Sequence, residues 1–197
     1  LTLQAKNDGA EVIIWPEAVS SYQNFQARTE FADIDIIGGF FVQQDEKIFT
    51  SIINTSTNDR YDKRNLVPFG EFQPFDNLLK NFNEFFNIPN SSLTRGEKKQ
   101  KKVLIQQIPF SGLICWELSF NDTFVDRTRN TGFIIHISND SWYGKNMPAQ
   151  HLLHAKARAI ESQKWVVRST TDGISDIISP YNQKKLSENI PKGIKSF

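Results

Sequence analysis

The chain has very little cysteine, no excess of charge of either sign and no long hydrophobic run. Its 197 residues include one cysteine, Cys115, so no internal disulfide can form. The 23 Lys and Arg residues nearly balance the 22 Asp and Glu residues, and a net charge of +1 gives no reason to expect nucleic acid as a partner. No apolar run approaches the roughly 18 to 20 residues that span a bilayer. What is present is ordinary apolar content, in a chain long enough for one domain with a substantial core.

Apolar, β-branched stretches alternate with helical patterns along the chain. The pattern predicts strands at about 11–15, 35–41, 48–56, 103–108, 112–114, 133–138, 165–169 and 174–179. It predicts helices at about 117–129 and 148–162. The first residues predict the end of a helix stopped by Gly9, and because the chain does not begin with Met we expect a piece of a longer protein. The alternation predicts an α/β fold and one domain over 1–197.

Cys115 stands where the strand predicted at 112–114 gives way to the helix predicted at 117–129. A lone cysteine after an apolar strand is by itself equally consistent with an inert, buried side chain. At the start of a helix, however, free backbone N–H groups and the positive end of the helix dipole favour thiolate over thiol. The position therefore predicts a nucleophile.

Glu17 and Lys63 are two further candidates, each weak on its own. Glu17 follows an apolar strand and Pro16, which ends strand pairing and turns the carboxylate outward at the carboxyl edge of the sheet. Sheet edges of this kind hold active sites. Lys63 lies in a charged patch at 60–64. Read alone, each of the two is also consistent with a solvated surface residue.

The three histidines do not provide a convincing base for the thiol or a metal site. His136 lies within an apolar strand, and His151 and His154 lie three apart on one helix face. No carboxylate or thiol signature accompanies them, so the pattern favours packing or hydrogen bonding over metal binding. We expect neither a metal nor a diffusible cofactor.

Four segments carry a resemblance to a known family. They read Trp-Pro-Glu at 15–17, Tyr-Asp-Lys-Arg-Asn-Leu-Val-Pro-Phe-Gly-Glu at 61–71, Cys-Trp-Glu at 115–117 and Ser-Asn-Asp-Ser-Trp-Tyr-Gly at 138–144. Together they resemble the Glu-Lys-Cys triad segments of the nitrilase superfamily. More narrowly, they resemble the extracytoplasmic catalytic domain of the apolipoprotein N-acyltransferase family. Trp116 stands where that family often has tyrosine, and the family's first strand and membrane helices have no counterpart here.

The resemblance implies a fold, a reaction and a location. The fold is a four-layer αββα sandwich of the nitrilase superfamily without its first strand, which agrees with the alternation of strands and helices. The reaction moves a fatty acyl chain from a phospholipid, through a cysteine thioester, to the N-terminal amine of a diacylglyceryl-cysteine apolipoprotein. The location is the bacterial inner (cytoplasmic) membrane, with this domain on the extracytoplasmic (periplasmic) face.

The same resemblance implies roles for individual residues. Cys115 would attack the acyl ester, Glu17 would take and return the proton, and Lys63 would stabilise the developing oxyanion. The supporting residues would be Glu71, Trp116 and Glu117. For the two glutamates among them, a structural role is equally consistent. The residues that shape the acyl pocket would be Asn139 and Trp142.

A run of phenylalanines follows the lysine segment. Its apolar side chains recur at helical spacing and form a stripe consisting of Phe72, Phe75, Leu79, Phe82 and Phe86. On its own, such a stripe is more typical of a helix that faces the core. Beside the active-site segment of a lipid enzyme, an arm at 72–88 that touches the membrane surface becomes an equally consistent prediction.

Two other functions remain open. A soluble C–N hydrolase (amidase or nitrilase) would use the same three residues on a small amide, with water as the acceptor. The segment 67–71 and the phenylalanine stripe argue against it. A catalytically silent scaffold is the second alternative, and the presence of all three triad residues argues against that one.

Overall fold

The computed structural model describes residues 1–68, 70–72, 93–142, 144 and 146–181, which form two β-sheets and four α-helices. The strands of the first sheet are β1 (Val12–Ile14), β2 (Ser20–Ser21), β3 (Asp35–Gln44), β4 (Lys47–Asn54) and β5 (Arg60–Asp62). Those of the second are β6 (Val103–Ile105), β7 (Ile108–Ile114), β8 (Phe133–Asn139), β9 (Val166–Thr171) and β10 (Asp176–Ile178). The helices are α1 (Thr2–Asn7), α2 (Tyr22–Gln26), α3 (Asn121–Thr128) and α4 (Met147–Ser162).

Both sheets are mixed. In the first, the order is β1-β3-β4-β5, with β1 parallel to β3 and the later pairs antiparallel, while β2 also pairs with β3. In the second, the order is β10-β9-β8-β7-β6, and the three central strands β7, β8 and β9 are parallel. Because parallel strands end at the same edge of a sheet, the residues that follow β7 and β8 are brought together there.

Three buried clusters separate four layers. Apolar side chains of both sheets meet in the middle, among them Ile37, Ile52, Ile114 and Ile135. The outer face of the second sheet packs on helices through Leu113, Ile134, Ala155 and Ala159. The outer face of the first sheet packs on α2 through Ile36, Phe40 and Phe25. Successive residues such as Ile36 and Ile37 face opposite layers, as the two-residue period of a strand requires. The predicted αββα sandwich is confirmed.

The structure corrects two predicted boundaries. The strand predicted at 103–108 ends at Ile105, and the next begins at Ile108, because Gln106 and Gln107 form a two-residue hairpin turn with φ of 47° and 69°. Glycine and asparagine usually mark such turns, and neither is present here. The helix predicted at 117–129 is two pieces, a 3-10 turn at Cys115–Ser119 and then α3, separated by Phe120 in an extended conformation.

The predicted helix end at the start of the chain is confirmed. Helix α1 ends at Asn7, and Gly9 follows with φ of 89°, a conformation that glycine adopts without steric cost. Among the described residues, none of the helices is long and apolar enough to cross a bilayer. The predicted arm at 72–88 lies outside the described residues from 73 onward, while the ring of Phe72 packs under the guanidinium of Arg95 at 4.6 Å.

Candidate active site

Glu17 is held at the end of β1 by a close approach to the next strand of the sheet. The carbonyl of Pro16 accepts a hydrogen bond from the N–H of Gly39 at 3.2 Å. A Cβ on Gly39 would lie 2.5 Å from that carbonyl oxygen and 2.6 Å from the Cα of Glu17, so only glycine permits this contact. The Glu17 carboxylate is 5% exposed and points inward, which corrects the expectation of an outward carboxylate. A glycine inside the strand predicted at 35–41 was the sequence signal that could have indicated this close approach of the backbone.

Lys63 follows β5 and is 1% exposed. Its ammonium donates to Glu17 Oε1 at 2.9 Å and to Glu71 Oε1 at 2.6 Å. The other oxygen of each carboxylate is also bonded, Glu17 Oε2 to the N–H of Asn139 at 2.9 Å and Glu71 Oε2 to the N–H of Val67 at 2.8 Å. The structure therefore brings one ammonium and two carboxylates into a single hydrogen-bonded cluster.

Cys115 lies at a sharp turn directly after β7. Its φ is 52°, in the left-handed region that non-glycine residues rarely adopt, and its side chain is buried. Strain of this kind persists only where the surroundings over-determine it, and it is common at nucleophile positions between a strand and a helix. The thiol interacts electrostatically with Glu17, Lys63 and Glu71, so all four side chains belong to one cluster.

The electrostatics of the cluster differ from the expectation of a stabilised thiolate. Burial is the largest effect on Cys115, and together with the negative charge of Glu17 it raises the pKa of the thiol to about 12, although Lys63 and Ser138 act in the opposite direction. Burial alone would lower the pKa of Lys63, but the charges of Glu17, Cys115 and Glu71 outweigh it and raise that pKa. The prediction that a helix start favours thiolate was wrong, because Cys115 is followed by one 3-10 turn and faces a buried carboxylate.

Glu117 ties the lysine segment to the cysteine turn. Its buried carboxylate accepts hydrogen bonds from the N–H groups of Ile114 at 3.0 Å, Arg64 at 2.6 Å and Asn65 at 3.1 Å. The hydroxyl of Tyr61 donates to the same carboxylate at 2.9 Å. Burial raises the pKa of Glu117, and the backbone hydrogen bonds oppose that rise. These contacts favour the structural role over direct chemistry, because none of them involves the thiol or the ammonium.

The remaining predicted residues surround the cluster. The half-buried ring of Trp116 packs 5.8 Å from the ring of His151 and 6.5 Å from that of His154. Asn139 donates its backbone N–H to Glu17, while its side-chain oxygen accepts a hydrogen bond from the hydroxyl of Ser141 at 2.6 Å. Trp142 ends the 3-10 turn Asp140–Trp142, and its side chain lies outside the described part of the protein.

The histidines have hydrogen-bonding roles, as the pattern predicted. His151 Nδ1 pairs with Asp140 Oδ1 at 2.8 Å, and His154 Nδ1 pairs with the hydroxyl of Ser119 at 3.3 Å. Within the described ranges, no group of His, Cys, Asp and Glu side chains could hold a metal ion. Asp140, in the 3-10 turn after β8, and Arg168, on β9, form a buried ion pair at 2.7 Å. Sequence reasoning missed this pair because the two residues are far apart in the chain.

A four-layer αββα sandwich with a buried thiol beside a lysine and two carboxylates defines the class of the nitrilase superfamily. The sequence model described as carbon-nitrogen hydrolase matches residues 1–183, and the chain belongs to this family.

Relatives and solved structures agree with this assignment. The chain is 32% identical to an apolipoprotein N-acyltransferase of Vibrio vulnificus, over 96% of this chain and 42% of that protein. It is 34% identical to one of Vibrio cholerae, over 89% of this chain and 39% of that protein. The chain thus spans about two fifths of the length of these relatives.

Solved structures share the fold at low sequence identity. An amidase from Nesterenkonia sp. is 16% identical, with a TM-score of 0.62 over 91% of this chain and 73% of that one. The NitFhit protein of C. elegans is 14% identical, with a TM-score of 0.64 over 93% of this chain and 51% of that one.

Proposed function

We propose that this chain is the catalytic domain of an N-acyltransferase. It would move a fatty acyl chain from a phospholipid to the N-terminal amine of a diacylglyceryl-cysteine apolipoprotein. The observation that carries the proposal is the buried cluster in which the Cys115 thiol lies beside the paired Lys63 and Glu17. The relatives named above support the choice of substrates, since the cluster itself fits any acyl transfer through a thiol.

The first half-reaction makes a thioester. Glu17 takes the proton of the Cys115 thiol as the sulfur attacks the carbonyl carbon of the phospholipid ester. A thiol with a pKa of about 12 needs such a base at neutral pH, because almost none of it is ionised. The S–C bond forms, the ester C–O bond breaks, and Glu17 returns the proton to the leaving glycerol oxygen.

The second half-reaction transfers the acyl chain to nitrogen. The free amine of the apolipoprotein attacks the thioester carbonyl, a C–N bond forms, and the C–S bond breaks. Glu17 takes a proton from the attacking amine and returns it to the sulfur, so the thiol is restored. The same carboxylate serves both halves, and the reaction needs no redox partner.

Lys63 supplies fixed positive charge for the oxyanion that forms in each half. Its raised pKa keeps it an ammonium throughout, and the N–H of Trp116 at the start of the 3-10 turn is the second donor. The first N–H groups of such a turn have no partner within it. Glu71 orients the ammonium through its ion pair with Lys63, and Asn139 and Trp142 are the residues that shape the acyl pocket in this proposal.

We also propose that the domain works on the extracytoplasmic side of the bacterial inner membrane, with the segment 72–88 as its membrane-touching arm. The support for the arm is the apolar stripe in the sequence. A phospholipid ester lies at the membrane surface, so a domain that uses it must dock there.

A transfer assay tests the proposal. The full-length protein in phosphatidylethanolamine vesicles would be mixed with a synthetic diacylglyceryl-cysteine peptide, with the same peptide acetylated on its amine as the control. We expect the free peptide to gain one fatty acyl chain and the acetylated peptide to gain none. Ammonia release from small amides, without any gain of mass on the peptide, would instead identify the amidase alternative and contradict the proposal.

A further inference from the structure

A buried chain of polar side chains lies against the backbone of Cys115, and no step of the proposed reaction uses it. His136 Nε2 lies 3.0 Å from the carbonyl oxygen of Cys115. On its other side, His136 Nδ1 lies 2.6 Å from Arg168, which also donates to Asp140 at 2.7 Å. Asp140 in turn pairs with His151. All four side chains are at most 2% exposed, so these contacts are shielded from water.

The partners of His136 determine which ring nitrogen carries its proton. A guanidinium has only donors, so the Nδ1 that faces Arg168 must be the acceptor. The hydrogen is therefore on Nε2, which donates to the carbonyl of Cys115. Burial, followed by the charge of Arg168, lowers the pKa of His136 well below its ordinary value, which agrees with a neutral ring.

The carbonyl of Cys115 and the N–H of Trp116 belong to one peptide group. In a planar trans peptide these two bonds point in opposite directions. Fixing the carbonyl at one side therefore fixes the direction of the N–H at the other. A hydrogen bond to the carbonyl also polarises the peptide and strengthens the N–H as a donor. The left-handed φ of 52° at Cys115 makes such an external hold necessary, since the local backbone does not favour it.

We propose that His136 is a positioning residue, which holds the Cys115 carbonyl so that the Trp116 N–H points at the oxyanion during acyl transfer. Arg168 and Asp140 keep His136 in the tautomer that can donate. The inference rests on the proposed function only in requiring acyl chemistry at Cys115, and it applies to any acyl donor.

Two variants separate positioning from packing. His136→Leu removes the N–H that donates to the Cys115 carbonyl, and His136→Gln keeps an N–H near the position of Nε2. Both would be made in the full-length protein and treated with p-nitrophenyl butyrate, which acylates the thiol through an oxyanion. Iodoacetamide, which alkylates the thiol without an oxyanion, is the matched probe. Because the Trp116 N–H remains but is no longer held in place, we expect His136→Leu to slow acylation by about 10- to 100-fold, the upper value being the usual effect of losing one oxyanion donor. Alkylation should stay within about threefold of wild type, and His136→Gln should recover most of the acylation rate.

Three results would overturn the inference. These are acylation of His136→Leu at the wild-type rate, an equal slowing of acylation and alkylation, and a glutamine variant as slow as the leucine variant. If His136→Leu does not fold, His136→Met, which fills the space with a more adaptable side chain, takes its place under the same criteria. Wild-type protein that is acylated by p-nitrophenyl butyrate but never by phospholipid would contradict the proposed function alone. Wild-type protein that is acylated by neither p-nitrophenyl butyrate nor phospholipid would contradict both the inference and the proposed function.

Discussion

The side chain of Cys115 and its backbone lie in two different polar environments. Around the thiol there is an ionic cluster in which Lys63 bridges Glu17 and Glu71 at 2.9 and 2.6 Å. Around the backbone, the carboxylate of Glu117 accepts the N–H of Ile114. The carbonyl of Cys115 itself is bonded by the imidazole of His136.

The difference indicates a division of labour. Groups of the first environment carry charges that act on the Cys115 thiol, so in the proposed reaction they can move a proton and stabilise an oxyanion. Groups of the second are buried and hydrogen-bonded to the backbone around Cys115, and no step of the proposed reaction uses them directly. Variants in both environments should lower stability, because both are buried, but only variants in the first should remove a group that acts directly in the proposed chemistry.

The largest effect is expected from Glu17→Gln, which removes the proposed base. Acylation by phospholipid should slow by about 10³-fold. Loss of the negative charge should also lower the pKa of the thiol from its value of about 12, so that alkylation by iodoacetamide at pH 9 becomes faster. The two rates are measured on the same preparation, with exposed Glu46→Gln as the control. If acylation and alkylation both became slower, Glu17 would be a structural residue and not the base.

Lys63→Met should slow acylation by about 10²- to 10³-fold, because one oxyanion stabiliser is lost. It also leaves Glu17 and Glu71 as buried carboxylates without their shared cation, so stability should fall by about 3 kcal/mol or more. Single-turnover acylation and urea denaturation measure the two effects, and Lys47→Met, on the exposed end of β4, is the matched variant. An active Lys63→Met protein would contradict the assignment.

Glu117→Gln tests the backbone environment. The substitution places an amide N–H₂ group among N–H and O–H donors that share the Glu117 carboxylate in the wild-type protein. We expect a loss of about 2–3 kcal/mol in the free energy of unfolding. Because burial raises the pKa of Glu117, the unfolded chain loses this proton at lower pH than the folded protein does. Wild-type stability should therefore decrease as pH rises above the ordinary value of 4.5, relative to the variant.

The comparison uses urea denaturation between pH 4 and pH 8, because the slope of stability against pH reports the difference in bound protons between the folded and unfolded states. Glu161→Gln, whose carboxylate is half exposed on α4, is the control. If Glu117→Gln left stability unchanged but abolished acylation, Glu117 would belong to the reactive environment, and the division drawn above would be wrong.

The smallest effect is expected from the paired substitution Phe75→Asp and Phe82→Asp in the proposed arm. Both residues lie outside the described structure, so the prediction comes from the apolar stripe alone. Flotation of the purified domain with phosphatidylethanolamine liposomes should fall several-fold, since two buried apolar side chains would be lost from the membrane contact. Flotation equal to that of the unaltered domain would contradict the proposal that the segment 72–88 touches the membrane.

The strand pattern placed Glu17 and Cys115 at strand ends, but it contained no strand directly before Lys63, which follows β5 in the structure. That Lys63 would join the other two was expected from the family resemblance alone. The functions of Gly39, Arg168 and Asp140 depend on approaches between distant segments, which no local pattern records. The thiol pKa was missed for the same reason, because a helix start is visible in the sequence while burial beside Glu17 is not.

The most direct test of the central claim is the intact mass of the full-length protein after incubation in phosphatidylethanolamine vesicles, without any acceptor. We expect wild type to gain the mass of one fatty acyl chain, hydroxylamine to remove it, and Cys115→Ala to gain nothing. An unmodified wild-type protein whose Cys115 still reacts with iodoacetamide would contradict the claim that this thiol accepts the acyl chain.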